Sequence, residues 1–303
     1  MKIQLSQWRP ALPGYHLLAI FAVYLLAVVP QQTALAQLAS PITAPPTNTV
    51  VPGKVVWADL VTNDVDAAVD FYTRVFAWEA RHDEVAGYVE LSHRGVVICS
   101  VVAFDDDDVS PANARWLVSV SVPNVDDAVR RVELNQGSVL EAPENFPDRG
   151  RLAVVSDDQA AVFMLLRATG GDPVDDTLVV GAWGWAELWT RDVDKAVRFY
   201  ENAFGYRSNR VEEASGESLV VLGTQGKPRA TVVRLPWDDV EPNWLPYIPV
   251  EDARDTLRRI ETAGGTVLFT SDDVGSNDRG TFAAIVADPT GGVFAVQETE
   301  AGQ

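Results

Sequence analysis

Residues 64–78 read Asp-Val-Asp-Ala-Ala-Val-Asp-Phe-Tyr-Thr-Arg-Val-Phe-Ala-Trp, and a related stretch returns at 192–206, a shift of 128 positions. The residues before each copy also match: 57–62 read Trp-Ala-Asp-Leu-Val-Thr, and 185–190 read Trp-Ala-Glu-Leu-Trp-Thr. Each copy predicts a strand that leads into an amphipathic helix with an aspartate N-cap. A period this long indicates two copies of a whole domain.

The predicted helices cover 64–77 and 192–204. Asp66 and Asp194 place a carboxylate at the positive end of each helix. Gly205 is a good helix stop in the second copy, whereas Ala77 stands at that position in the first.

Beyond these helices the repeat continues, since 130–137 resembles 258–265 and Asp-Arg-Gly at 148–150 returns at 278–280. Each half therefore reads as strand, helix and strands, twice over. Helices segregated from short mixed strands predict an α+β fold. The expected divisions are a signal peptide (1–36), a Pro/Thr-rich tether (37–53), a first domain (54–167), a linker (168–179) and a second domain (180–298).

The N-terminal segment predicts export. Lys2 and Arg9 precede an uninterrupted apolar run at 17–29, and Ala-Leu-Ala at 34–36 suits cleavage after Ala36. The expected location is periplasmic or secreted. An uncleaved helix anchoring the protein to the inner membrane is the alternative, although the apolar run is short for a bilayer span.

The chain is acidic, with 24 Lys plus Arg against 43 Asp plus Glu and a formal net charge of −19. Such a surface repels phosphate backbones and anionic lipid headgroups, so we expect neither nucleic acid nor, after signal cleavage, a membrane as partner. Cys99 is the one cysteine and lies in an apolar run, which indicates a buried core residue. The acidic run 105–108 is interpreted as a solvated loop.

The module order, with Trp57-Ala58-Asp59-Leu60 leading into 64–72, resembles the vicinal oxygen chelate superfamily of glyoxalases, bleomycin-resistance proteins and extradiol dioxygenases. The stretch 288–294, Asp-Pro-Thr-Gly-Gly-Val-Phe, is similar to the turn that precedes the last strand of that family. The resemblance implies tandem glyoxalase-like domains, each of paired βαβββ modules that form a half-open barrel with the ligand cavity inside.

Catalytic members of that family hold a divalent metal with His, Glu or Gln side chains. The resemblance carries those ligand positions onto apolar residues of this chain: Trp57, Trp185, Leu117, Leu245, Met164 and Ala295. None of these suits a divalent ion, which prefers imidazole nitrogen or carboxylate oxygen. His82 and His93 are interpreted as loop histidines and Glu90 as a strand-surface residue, so no metal and no cofactor is expected.

Strand alternation places Asp59 on the same face as Trp57, and Glu187 on the same face as Trp185. The predicted ligand-binding set is Trp57, Asp59, Trp116, Leu117, Ser119, Trp185, Glu187, Trp244, Leu245 and Tyr247. For Asp59 and Glu187 two roles stay open. They are either catalytic bases or ligand acceptors, or structural groups that pair with an arginine such as Arg149 or Arg279.

Three functions remain open. The first is an exported, metal-free protein that binds a small apolar or aromatic molecule in its cavities. The second is an enzyme, either a glyoxalase-like lyase or isomerase or a dioxygenase-like oxidoreductase, which uses Asp59, Glu187 or an atypical metal site. The third is an interaction module with filled cavities. Because two fused halves can pair within one chain, we expect a monomer.

Overall fold

The computed structural model describes residues 40–82, 88–103, 114–175, 179–212, 218–237, 240–271 and 282–299. The predicted signal peptide at 1–36, the acidic run at 105–108 and the second Asp-Arg-Gly at 278–280 lie outside these ranges. Among the described residues, no helix is both long and apolar enough to span a bilayer.

The first half of the chain builds one eight-stranded sheet from two modules. Its strands are β1 (Val55–Thr62), β2 (Glu79–His82), β3 (Tyr88–His93), β4 (Val96–Ala103), β5 (Arg115–Ser121), β6 (Ser138–Phe146), β7 (Gly150–Ser156) and β8 (Val162–Ala168). Their order across the sheet is β2-β3-β4-β1-β5-β8-β7-β6, which puts the first strand of each module at the centre.

The second half repeats this sheet in the order β10-β11-β12-β9-β13-β16-β15-β14. Its strands are β9 (Trp185–Thr190), β10 (Arg207–Glu212), β11 (Ser218–Thr224), β12 (Lys227–Arg234), β13 (Asn243–Val250), β14 (Thr266–Thr270), β15 (Ala283–Ala287) and β16 (Val293–Glu298). The predicted α+β class and the four βαβββ modules are confirmed. Each sheet is curved but open rather than a closed barrel.

One helix belongs to each module: α1 (Val65–Phe76), α2 (Val125–Leu134), α3 (Val193–Phe204) and α4 (Ala253–Thr262). Asp64 and Asp192 cap α1 and α3 by accepting from the amides of Ala67 and Lys195. The two copies carry different residues at the end of this helix but share one backbone conformation there. Gly205 ends α3 at φ 74°, and Ala77 takes the same left-handed conformation at φ 54°.

The two halves share their cores. One apolar core joins the second module to the third, with Phe163 beside Tyr200, and the other joins the first module to the fourth, with Tyr72 beside Phe294. Helix ends interlock in the same symmetric way. Arg131 of α2 donates to the carbonyl of Ala203 at 2.7 Å, and Arg259 of α4 donates to the carbonyl of Val75 at 2.6 Å. The pairing is therefore built from core packing and helix-end hydrogen bonds together.

The segment before β1, expected to be an extended tether, is packed against the protein over residues 40–53. Ile42 is 7% exposed and packs with Trp57 and Leu166, because these apolar side chains leave water together. The Thr43 hydroxyl donates to the carbonyl oxygens of Gly170 and Gly171. Pro and Thr content predicted an irregular backbone here but could not show that tertiary contacts hold it.

Asp175 of the linker connects the two halves. Its carboxylate pairs with Lys54 of the first half at 3.0 Å and with Lys227 and Arg229 of the second at 3.0 and 2.6 Å. Hydrogen bonding from the Arg229 guanidinium, with further help from the two lysines, holds the pKa of Asp175 well below its usual range.

Candidate functional site

Each sheet has one face packed on the helices and one face without helices, which we call the first and second open faces. On the first, Trp57 and Asp59 of β1 lie opposite Ser119 and Leu117 of β5. On the second, the equivalent cross-strand pairs are Trp185 with Tyr247, and Glu187 with Leu245. The predicted strand register therefore places these eight side chains on two equivalent faces.

Glu187 is the polar centre of the second open face and is 5% exposed. Its Oε1 accepts hydrogen bonds from the Trp189 indole at 2.8 Å and the Tyr247 hydroxyl at 2.7 Å. Its Oε2 accepts from the Thr231 hydroxyl at 2.6 Å, which also receives the Trp185 indole N–H at 3.2 Å. Neutral donors thus hold this buried carboxylate, and no cation among the described residues forms an ion pair with it.

Aromatic rings surround Glu187. Trp189 stacks on Trp237 with ring centres 5.7 Å apart and an angle of 13°, and Phe269 meets Trp237 edge-on at 5.8 Å. Tyr247 and Trp189 are partly buried against the apolar residues of this face, Leu245, Ile285 and Ala295. The second open face is an aromatic surface with one fixed carboxylate.

The first open face has a different polar arrangement. Asp59 accepts from the Trp57 indole at 2.9 Å and, through a short contact, from the Ser100 hydroxyl. Ser100 stands where Thr231 stands in the second half, since they pair with Asp59 and Glu187 in the same register. Both acidic residues are therefore held by an indole and a hydroxyl.

Arg149, whose repeat equivalent Arg279 lies outside the described residues, adds a buried cation to the first open face. It is 4% exposed, its guanidinium lies over the Trp57 ring at 4.1 Å, and Nη2 donates to the Tyr88 hydroxyl at 2.6 Å. Burial raises the pKa of Tyr88 to about 12, although the charge of Arg149 opposes that rise. Among the described residues Arg149 forms no ion pair with Asp59, so the suggested arginine partner is not found there.

Glu90 is buried on the first open face, contrary to the strand-surface interpretation. It is 3% exposed and its Oε2 pairs with Arg81 of the neighbouring strand β2. Arg81, the cross-strand partner of Glu90, explains this burial rather than the local sequence around Glu90, because a buried carboxylate needs a cation or hydrogen-bond donors.

Trp116 and Trp244 do not lie on the open faces. The Trp116 indole donates to the Tyr72 hydroxyl at 3.0 Å, and the Trp244 indole donates to the Tyr200 hydroxyl at 3.0 Å, both inside the shared cores. They adjoin the predicted site residues in sequence, and successive strand residues point to opposite faces. Their assignment to the ligand-binding set is wrong on this ground.

In the described part of the chain, the side chains do not suit the divalent metal that catalytic members of the family hold. The described residues contain no group of three or more His, Cys, Asp or Glu side chains able to hold an ion. His82 and His93 lie at opposite ends of the β2–β3 pairing, and His93 contacts the carbonyl of Val180 at 3.1 Å. Cys99 is buried and without a disulfide, as its apolar strand predicts.

Sequence reasoning missed Thr231, Ser100, Trp189 and Trp237 as neighbours of the predicted set, and it named Arg149 only as a possible ion-pair partner of Asp59 or Glu187. Ser100 and Thr231 could have been found by asking which hydroxyl sits beside each first strand. Trp237 could not, since it follows β12 in an irregular segment and reaches the face only through the fold. An open depression lined by Asn145, Phe146, Pro147, Gly150, Arg151, Arg167, Ala168 and Thr169 contains none of the predicted residues.

Comparison with known proteins agrees with this architecture. "Putative glyoxylase CFP32" of Mycobacterium tuberculosis (strain CDC 1551 / Oshkosh) is 29% identical over 247 residues, covering 79% of this chain and 92% of that protein. "Anthracycline biosynthesis protein DauV" of Streptomyces sp. (strain C5) is 30% identical over 262 residues, covering 82% and 94%. These relatives span both halves, so they share the tandem arrangement.

The fold also matches the Mn(II)-bound glyoxalase from Novosphingobium aromaticivorans, with a TM-score of 0.56 at 13% identity over 82% of this chain and 83% of that one. The model of the Glyoxalase/Bleomycin resistance protein/Dioxygenase superfamily matches residues 54–163 and 182–296. With two matched regions, one per sheet, this chain belongs to the glyoxalase/bleomycin resistance protein/dioxygenase superfamily.

Proposed function

We propose that this protein is an exported, metal-free binder of a small apolar or aromatic molecule, held on the second open face. The observation that carries the proposal is the surrounding of Glu187, whose two oxygens accept from Trp189, Tyr247 and Thr231 within an aromatic surface. Aromatic side chains with a few fixed polar groups are typical of sites for small organic ligands. A relative named for anthracycline biosynthesis fits an aromatic ligand.

The donor set supports the metal-free part of the proposal. At the positions the family uses for ligands, the second half has Trp185, Leu245 and Ala295. Glu187 offers one carboxylate, already committed to three donors, and coordination would require breaking those hydrogen bonds. Such a site favours binding by stacking and shape.

The binding experiment uses 2-naphthol, a neutral aromatic probe, and follows quenching of tryptophan fluorescence. We expect saturable binding that Trp237→Ala weakens about tenfold, or ~1.4 kcal/mol, because the stack on Trp189 is lost. Trp183→Phe is the matched control, since Trp183 packs in the cores between the halves and donates to the carbonyl of Ile98. Equal weakening by both variants, or no saturable binding, contradicts the proposal.

A separate experiment tests the metal. The protein is incubated with Ni, Zn, Mn and Fe salts, dialysed, and analysed for bound metal per chain. We expect sub-stoichiometric retention. One tightly held ion per half would overturn the metal-free proposal, whatever the fluorescence titration shows.

The lyase or isomerase alternative is favoured by the relative named glyoxylase. It requires Asp59 or Glu187 as a base; both oxygens of Glu187 already accept hydrogen bonds, whereas Asp59 accepts through Oδ1. Loss of turnover on a candidate substrate in Asp59→Asn and Glu187→Gln, with unchanged melting temperatures, would favour the enzyme over the binder.

We also propose that the chain is exported and works as a monomer, its two halves paired through the shared cores. The support is the N-terminal sequence and the interlocking of α1 with α4 and of α2 with α3. Cell fractionation with N-terminal sequencing tests cleavage after Ala36. Sedimentation equilibrium tests the monomer, and a dimer mass would contradict it.

A further inference from the structure

We propose that the first open face carries a second binding site, in which Arg149 binds the carboxylate of a small organic acid. This site is independent of the aromatic surface around Glu187. In the sequence repeat the position of Arg149 is taken by Arg279, which lies outside the described residues.

The first observation is a buried cation whose donors are not used. Arg149 is 4% exposed, and its Nε and Nη1 atoms have no hydrogen-bond partner. These two atoms carry three of the five N–H donors of a guanidinium. Only Nη2 is occupied, by the Tyr88 hydroxyl at 2.6 Å.

The second observation is that the charge of Arg149 has no ion-pair partner within 4.0 Å among the described residues. Glu90, the buried acid on the same face, pairs through Oε2 with Arg81, and its Oε1 has no hydrogen-bond partner. Asp59 accepts from Trp57 and Ser100 through Oδ1 and forms no ion pair with Arg149. A buried and unpaired charge is costly, and such groups are usually paired or engaged in a function.

The third observation is that a further polar group on this face also lacks a partner. Ser119 is fully buried on the strand next to Trp57, and its hydroxyl has no hydrogen-bond partner. Trp57, the cross-strand neighbour of Ser119, has its ring centre 4.1 Å from the Arg149 guanidinium carbon, within cation–π range. The guanidinium, whose Nε and Nη1 lack partners, is a donor set that matches the planar oxygens of a carboxylate.

The N-terminal segment packs beside the residues that surround Arg149. Ile42 packs on Trp57, and the amide of Thr169 donates to the Arg149 carbonyl next to the Gly170–Gly171 turn, whose carbonyls accept from Thr43. Arg149 is therefore linked to this segment through Trp57 and through the turn that follows Thr169.

The probes are benzoate and its neutral isostere benzamide, titrated into the protein by calorimetry. We expect saturable benzoate binding at least tenfold tighter than benzamide, because only the carboxylate gains charge-assisted hydrogen bonds. Arg149→Met should weaken benzoate binding at least tenfold and remove the preference over benzamide. Arg151→Met is the matched control, since Arg151 pairs with Asp126 of α2 on the other side of the sheet.

Melting temperature gives a second readout. Benzoate should raise the melting temperature of the wild type and of Arg151→Met, and leave that of Arg149→Met unchanged. If Arg149→Met does not fold, Arg149→Lys replaces it, and we expect weaker benzoate binding because lysine keeps the charge without the fork of donors. Trp237→Ala should leave benzoate binding intact, which separates this site from the one around Glu187.

Three results would overturn the proposal. They are equal affinity for benzoate and benzamide, unchanged benzoate binding in Arg149→Met, and no saturable benzoate binding up to about 10 mM. In each case Arg149 is a structural cation held by Trp57 and Tyr88 alone.

Discussion

The hydroxyl of Tyr72 donates a hydrogen bond to Asp288 at 2.8 Å, although 216 positions separate the two residues in the chain. The repeat reproduces this contact, since the Tyr200 hydroxyl donates to Asp157 at 3.2 Å. In each case an indole completes the chain of hydrogen bonds, from Trp116 to Tyr72 and from Trp244 to Tyr200. The two halves are thus joined by two equivalent buried polar networks inside apolar cores.

Removing one hydroxyl from this network should destabilise the whole protein. Tyr72→Phe leaves the Trp116 indole N–H and one Asp288 oxygen without their partner in a buried place. We expect the free energy of unfolding to fall by about 1–3 kcal/mol, measured by urea denaturation. Tyr200→Phe should behave alike. A loss of stability in only one of the two variants, or in neither, would contradict the equivalence of the networks.

Asp157 should make stability depend on pH. Burial raises its pKa from 3.8 to about 6, although the amides of Gln159 and Ala161 lower it by hydrogen bonding. The folded state therefore holds the proton more tightly than the unfolded state. This contribution is fully present below about pH 4 and is lost as pH rises through about 6, a change of roughly 2–3 kcal/mol.

The control for this pH dependence is Asp157→Asn, which keeps an oxygen for the two amides but has no proton to release. Urea unfolding of both proteins between pH 4 and 7.5 gives the stability of the wild type relative to the variant. We expect that difference to decrease as pH rises through 6. Parallel curves would show that Asp157 is not the titrating group.

The left-handed residue at the end of α1 offers a stabilising change. Ala77 adopts φ 54°, where an L side chain is strained and glycine is not. Ala77→Gly should raise the free energy of unfolding by about 0.5–1 kcal/mol, and Gly205→Ala, the reverse change at φ 74°, should lower it by a similar amount. Thermal denaturation checks both. If the two variants shift stability in the same direction, helix-end strain is not the cause.

The contact of the N-terminal segment with the first open face can be tested at Ile42. Ile42→Ala removes buried methyl groups beside Trp57 and Leu166, and we expect a loss of about 2 kcal/mol, at the lower end for such changes because the segment can readjust. Leu134→Ala is the control, since Leu134 is 83% exposed and should shift stability little. Equal stability of Ile42→Ala and the wild type would indicate that the segment does not contribute to folding.

The sequence predicted the helices well and the outer strands poorly. α1 and α3 carry an N-cap, an apolar stripe and a stop, which are local signals, and both bounds follow from them. β2 and β10 carry no such signal: β2 is exposed along its length and forms only because β3 pairs with it. Strands defined by a partner cannot be recognised from their own residues.

The candidate site shows the same division. Strand alternation correctly put Asp59 with Trp57 and Glu187 with Trp185, because pleating is a property of the local backbone. Trp116 and Trp244 were included in the set as sequence neighbours of Leu117 and Leu245, but the same alternation turns them to the opposite face of the sheet. The stack of Arg149 on Trp57 could not be foreseen, because 92 positions separate the two residues and only the β1–β5–β8–β7 order brings them together.

The repeated sequence by itself determined the class and the four modules, since both depend on residue identity and short-range periodicity. That Trp, Leu, Met and Ala stand at the metal-ligand positions is what the resemblance to the superfamily implies. The tertiary structure decided which cores the halves share, which donors hold Asp59 and Glu187, and that the segment before β1 packs against the protein. Those features depend on contacts between residues far apart in the chain, and local sequence does not encode which distant partner a side chain meets.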